Sequence, residues 1–309
     1  MRIRAALVRL IAVVGLVAPM GVVAASTSTA AVTCPPRLGL TWFTNNFDAG
    51  TTIPYTNTDY VSQGLAYWPA KDWIITSLND DTWLPGRNML AVKNRSTGTL
   101  VKRVFVQYSN GAEITGHMGG VSVAGGSLLL STSSGDKNLF RFSLKALEQA
   151  PHNTALKTNG SFAVRASSYN TAASGYLYVG LFTDALTGTS TMWRYKLSST
   201  QAPTGTPVAI STPTRVQGAV VADGYYIFST SYGRHCYSRL KFKRITTGGY
   251  GRPIEIPPMS EGIVNVPRGA SGPASDWVYV NFESGSDQFK DGTMRQFRFQ
   301  HALLTSLTP

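Results

Sequence analysis

Gly119 to Gly135 reads GGVSVAGGSLLLSTSSG. A glycine step opens onto a short apolar strand, a Gly-Gly turn follows, and a second strand ends in small polar residues. The same order returns at Gln217 to Gly233 (QGAVVADGYYIFSTSYG) and at Glu261 to Gly285 (EGIVNVPRGASGPASDWVYVNFESG). Weaker copies run from Gln63 to Asp80 (QGLAYWPAKDWIITSLND) and from Tyr169 to Asp184 (YNTAASGYLYVGLFTD). With the second strands aligned at Thr76, Ser131, Gly180, Ser229 and Asn281, the steps are 55, 49, 49 and 52 residues. That period is close to one propeller blade per copy. An aromatic-basic strand follows each copy after the first, starting at Leu139, Met192, Arg239 and Arg295. Five such units predict an all-β, five-bladed β-propeller. A β-sandwich has no reason to return to one pattern five times.

The ends of the repeat array suggest how the ring closes. Leu38 to Thr44 (LGLTWFT) reads as a strand, and the fifth unit ends at Gln300 without a fourth strand. The expectation is closure by this N-terminal strand, added to the blade that contains Met294 to Gln300, which hides an open edge. Asn46 to Asn57 reads as a polar loop. Blade one is expected over Tyr60 to Gln107, blade three from Ser161 to about Ile210, and blade four from Gln217 to about Ile256. Leu144 to Ala155 is expected to hold one short helical turn, limited by Pro151, and Pro267 to Ser275 reads as a long link in blade five.

Residues 1–31 are set apart. Arg2, Arg4 and Arg9 precede an apolar run from Leu10 to Val23, and small residues follow to Ala31. This is the pattern of a signal peptide cleaved after residue 25 or 31. The run is short for a membrane span and contains Pro19. Residues 32–309 are then one propeller domain, secreted, with no transmembrane segment in the mature protein, and expected to be a monomer. In an exported chain the two cysteines, Cys34 and Cys236, are expected to form a disulfide tying the N-terminal arm to the propeller. Two cysteines are too few for a zinc cluster, and they form no CxxC pair.

Net charge is +12, or +9 without the three leader arginines. Much of the surplus alternates with apolar residues on the third strands, as at Arg239, Lys241 and Lys243. Alternation of that kind marks a half-buried strand with a solvated face. The surplus also suits attraction to an anionic polymer or lipid surface. No nucleic-acid-binding pattern is present, and nucleic acid is not an expected partner.

Propeller geometry converts the repeats into a site. First strands line the central channel, so their starts and the ends of second strands share one face. Gln63, His117, Tyr169, Gln217 and Glu261 stand at the starts. Asp80, Asp184, Ser231, Tyr232 and Glu283 stand at or beyond the second-strand ends, with Trp83 and Arg234 nearby. Glu261 replaces the glutamine of another copy, and Glu283 replaces serine or phenylalanine. A buried glutamate needs a partner, for which His117, Arg234 or a cation are the candidates. No nucleophile elbow and no zincin motif is present. A central Ca²⁺ among Gln, Glu and backbone oxygens stays open, and the metal content is undetermined.

The blade count and the repeat over residues 38–300 resemble secreted bacterial carbohydrate-active propellers, namely arabinanase-like enzymes and lectins. The resemblance implies a glycoside hydrolase or lyase acting on extracellular polysaccharide or cell-wall glycan. Glu261 and Glu283 would be acid and base or nucleophile, His117 a positioning or proton-relay group and Asp80 a modulator. Gln63, Gln217, Tyr169, Asp184, Ser231, Tyr232, Arg234 and Trp83 would bind substrate. Two other readings stand beside it. One is a non-enzymatic glycan- or protein-binding propeller. The other is a metal-dependent lactonase or esterase, whose ring of Glu, Asn and Asp ligands is poorly matched here.

Overall fold

The computed structural model describes residues 33–80, 87–133, 137–268 and 276–307. Trp83 and most of the Pro267 to Ser275 link lie outside these residues. The repeats form five sheets, each starting with the strand that opens a copy. The first blade holds β2 (Tyr60–Trp68), β3 (Trp73–Asp80), β4 (Met89–Asn94) and β5 (Leu100–Gln107), preceded in the chain by β1 (Asp48–Thr52). The second holds β6 (Gly120–Ala124), β7 (Ser127–Ser131), β8 (Asn138–Ser143) and β10 (Gly160–Ala163). Between β8 and β10, β9 (Thr154–Lys157) adds in parallel to β5 of the first blade. The third holds β11 (Tyr169–Ala173), β12 (Tyr176–Gly180), β13 (Thr189–Leu197) and β14 (Pro203–Pro213). The fourth holds β15 (Val216–Ala222), β16 (Tyr225–Thr230), β17 (Ser238–Arg244) and β18 (Ile254–Ile256). The fifth holds β19 (Ser260–Val266), β20 (Trp277–Phe282) and β21 (Arg298–Leu303), completed by β1.

Within each blade the neighbours are antiparallel, and β2, β6, β11, β15 and β19 touch in a ring around the channel. The second strands are buried almost throughout, as in Ser127–Ser131 and Tyr225–Thr230. The third strands alternate; Ser238–Arg244 buries Leu240 and Phe242 and leaves Arg239, Lys241 and Lys243 partly exposed. Their cations cover rings rather than standing free: Arg194 lies 4.8 Å from the Tyr176 ring centre.

An N-terminal strand closes the ring, but it is not Leu38 to Thr44. Thr41–Asn46 is a short helix, α1, and the closing strand is β1, inside the stretch that reads as a polar loop. The helix follows from apolar residues one turn apart. Phe43 and Phe47 stack at 4.8 Å between ring centres and join the core of the fifth blade. Asn46 caps the turn by donating to the Trp42 carbonyl at 2.8 Å. In β1, Asp48 and Ala49 pair with His301 and Gln300. The third strand of that blade starts at Arg298, three residues later than the expected Arg295. Blade three likewise opens at Tyr169, because Gly160–Ala163 pairs with β8 as the edge of blade two. The expected helical turn is α2 (Leu144–Gln149), capped by the Ser143 hydroxyl, which accepts from the Ala146 amide at 3.2 Å.

The Cys34–Cys236 disulfide is present, with Cα atoms 5.3 Å apart. Buried Glu255 holds the same arm. It accepts from Arg37 Nε at 2.9 Å, from the Leu38 amide at 3.2 Å and from the Gly39 amide at 2.9 Å. No described helix is long and apolar enough to cross a membrane.

Candidate functional site

The joints between blades decide which side chains reach the channel mouth. The glycines of the repeat are points of close approach. A Cβ on Gly262 would lie 2.4 Å from the Leu65 nitrogen and 2.8 Å from the Gln63 oxygen. A Cβ on Gly120 would lie 2.2 Å from the Asn170 nitrogen. Small polar residues on the second strands bind across the same joints. Ser77 donates to the Met118 carbonyl at 2.6 Å, Asn170 donates to the Ser131 hydroxyl at 3.0 Å, and Asn281 donates to the Gln63 carbonyl at 2.8 Å. These recurring serines and asparagines hold the ring together from buried positions.

The pairing of first and second strands shifts register between Ser62 and Leu65, between Val216 and Gly218, and between Ser260 and Ile263. Each irregularity falls at Gln63, Gln217 or Glu261. An extra residue in one strand turns side chains away from the regular alternation. Here it brings the three long polar groups to one place. A cavity of about 380 Å³ opens there, lined by Gln63, Gln217, His117 and Glu283, with Gly119, Ser133, Ser168 and Phe182.

Glu261 lies just behind this cavity, 1% exposed. Gln217 Nε2 donates to its Oε1 at 2.7 Å. Its carboxyl hydrogen-bonds that of Glu283, which in turn accepts from Gln63 Nε2 at 3.1 Å. Burial, then the charge and hydrogen bond of Glu283, push the Glu261 carboxyl well above the usual carboxylate range; the Gln217 amide pulls weakly the other way. Burial and the neighbouring carboxyl thus both favour the protonated form of Glu261. Glu283 stands at the start of a 3-10 turn after β20 and is half-buried, so the pair meets the cavity through Glu283.

Across the cavity, His117 is set by Asn79. The Asn79 Oδ1 accepts from the Met118 amide at 2.9 Å, which leaves Nδ2 to donate to His117 Nδ1 at 2.9 Å. The neutral ring then carries its hydrogen on Nε2. Neither His117 nor Arg234 is the partner of Glu261. Arg234 pairs with Asp291 at 2.9 Å, away from the cavity.

The remaining candidates are dispersed. Tyr169 is buried beneath Gly180, where a Cβ would fall 1.8 Å from its ring, and its hydroxyl is pushed up by burial. Ser168 lines the cavity in its place. The signal was Gly180 itself, where other copies carry Thr76, Ser131, Ser229 and Asn281. Asp184 is exposed and pairs with Arg215 at 2.6 Å. Ser231 and Tyr232 are buried, and the Arg215 guanidinium lies 5.7 Å from the Tyr232 ring centre. Asp80 ends β3 opposite Tyr60 and is not a wall of the cavity. Among the described residues no three His, Cys, Asp or Glu side chains form a group able to hold a metal.

No protein-family model and no curated protein matches this sequence. Among solved structures, the chain is similar to hydrazine synthase from Kuenenia stuttgartiensis, with a TM-score of 0.43 and 10% identity over 74% of this chain and 57% of that one. It is similar to a luciferin-regenerating enzyme, with a TM-score of 0.43 and 11% identity over 83% of this chain and 95% of that one. Hsv2 from Kluyveromyces lactis gives 0.35 and 8% over 74% and 61%. The chain spans less than two thirds of the hydrazine synthase and Hsv2 chains. At these scores the likenesses carry no functional argument.

Proposed function

We propose that this protein is an exported propeller that binds the end of an extracellular polysaccharide in one polar funnel at the channel mouth, without hydrolysing it. The contact between Glu261 and Glu283 carries this reading. Two-carboxylate hydrolysis needs the carboxyls about 5–5.5 Å apart for retention or about 6.5–9.5 Å for inversion. A hydrogen-bonded pair leaves no room between its members for a sugar carbon or a water. One of the two is also sealed from substrate.

What remains suits recognition of hydroxyl groups. Gln63, Gln217, Ser133, Ser168 and His117 offer donors and acceptors, and Phe182 offers an apolar face. The walls differ from blade to blade, which favours one asymmetric site over five equal ones. Export is supported by the basic-apolar leader and by the Cys34–Cys236 bond, since disulfides persist in oxidising compartments.

The test is a screen of the purified exported protein against cell-wall and plant polysaccharides, measuring retention and product release together. Retention without release is expected, with retention weakened in Gln217→Ala. Release of product that disappears in Glu283→Gln would replace this reading with an enzyme using Glu283 as its proton-transfer group. Absence of retention across the screen would end the glycan reading.

A further inference from the structure

The interior of the funnel poses a problem of charge. Glu261 is buried, and Gln217 donates to one of its oxygens. The other, Oε2, is sealed from solvent and receives no N–H among the described residues. Glu283 stands against the Glu261 carboxyl and faces the cavity. Ionised carboxylates bring acceptors only, so two in contact need something positive between them. Among the described residues no lysine or arginine lines the cavity, and the His117 Nδ1 is engaged by Asn79. A proton is the smallest occupant. A hard cation is the other, and the open side of Glu283 gives it a path.

The surrounding groups fit a cation that prefers oxygen. Gln63 and Gln217 lay one amide on each carboxyl. A half-turn of either amide exchanges its N–H for its carbonyl oxygen. Two carboxylates and two amide carbonyls then supply an all-oxygen set of about six donors, the number and type that Ca²⁺ takes. The cavity wall holds no thiolate, and its imidazole, His117, has Nδ1 taken by Asn79, which is a poor set for zinc or copper. Mg²⁺ asks for a tighter octahedron and keeps its waters, which a half-buried pair of carboxylates serves poorly. We propose that Glu261, Glu283, Gln63 and Gln217 form a Ca²⁺ site at the mouth of the channel. The cation would replace the proton between the two carboxyls, bridge blades one, four and five, and present its outer face to the cavity.

The proposal concerns the same cavity but does not depend on the glycan reading, because its test contains no glycan. Exported protein stripped with chelator is titrated with CaCl₂ by calorimetry, and its thermal midpoint is followed in parallel. One Ca²⁺ per chain is expected, with a Kd of about 10⁻³ M or tighter, and the midpoint should rise with added Ca²⁺. Glu283→Gln, on the cavity wall, should weaken binding at least tenfold. Gln63→Glu adds a third carboxylate and should tighten it about tenfold, so the proposal remains testable if Glu283→Gln does not fold. No heat and no Ca²⁺-dependent midpoint in the native protein would overturn the site. So would Ca²⁺ binding of unchanged strength in both variants, which would place the ion elsewhere. Equal affinity for Mg²⁺ would overturn the choice of calcium.

Discussion

Replacing both Cys34 and Cys236 with serine should cost much stability while leaving the native site in place. The two cysteines lie 202 residues apart in the chain. Closing a loop of that length removes about 5 kcal/mol of entropy from the unfolded chain, near the top of what disulfides contribute. The native state should lose little, because the arm has other holds. Glu255 binds Arg37 and the Leu38 and Gly39 amides, and Arg239 donates to the Pro36 carbonyl. For a domain of this size, the loss corresponds to a midpoint lowered by roughly 10–20 °C. Urea unfolding followed by tryptophan fluorescence, with Ca²⁺ and pH held fixed, measures it. The prediction is a lower midpoint with an unchanged native spectrum. A loss below about 1 kcal/mol would refute the loop-closure reasoning. A changed native spectrum would show that the arm depends on the bond for its position.

His301 should make the fold acid-sensitive. Its ring stacks at 3.9 Å on Trp277 and 4.6 Å on Tyr279, opposite Asp48 of the closing strand. Burial lowers its pKa from 6.5 to about 4, with Asp48 opposing and Arg95 assisting. The folded state therefore holds the ring neutral. As pH falls from 6.5 toward 4 the unfolded chain binds the proton first, and stability declines by about 2 kcal/mol, allowing for the ring edge that meets water. His301→Phe should flatten that part of the pH–stability curve, and an unchanged slope would discard the assignment. Gly262→Ala should destabilise by about 3 kcal/mol or more, since three backbone atoms of blade one lie within 2.8 Å of the new carbon. Denaturation within about 1 kcal/mol of the native protein would show that the joint yields.

The blade count was legible because five copies repeat the same strand pattern, and each opening strand lies on the channel. The closing strand was not. Asp48–Thr52 (DAGTT) has no apolar alternation, being an edge strand whose pairing with β21 comes from backbone groups. Phe43 and Phe47 are the residues that betray the helix before it. Gln63, Gln217, Glu261 and Glu283 could be assigned to one mouth because all stand at first-strand starts or second-strand ends, which share a face. Their mutual distances could not be read, since the register shift between Ser260 and Ile263 and the turn at Glu283 set them. Tyr169 misled because position in the repeat does not say which way a large ring turns, and Gly180 offered it an interior space. Asp184 and Arg234 found nearer partners on the rim, Arg215 and Asp291.

Binding at the channel mouth requires the open cavity there. Ser133 is exposed on its wall, so Ser133→Trp should fill much of the roughly 380 Å³ without disturbing a joint. The measurement is the affinity of this variant and of the native protein, by calorimetry, for the polysaccharide that the native protein retains best. At least a tenfold loss of affinity is expected, with an unchanged thermal midpoint. Equal affinity in the two proteins would contradict it and move the binding site off the channel mouth.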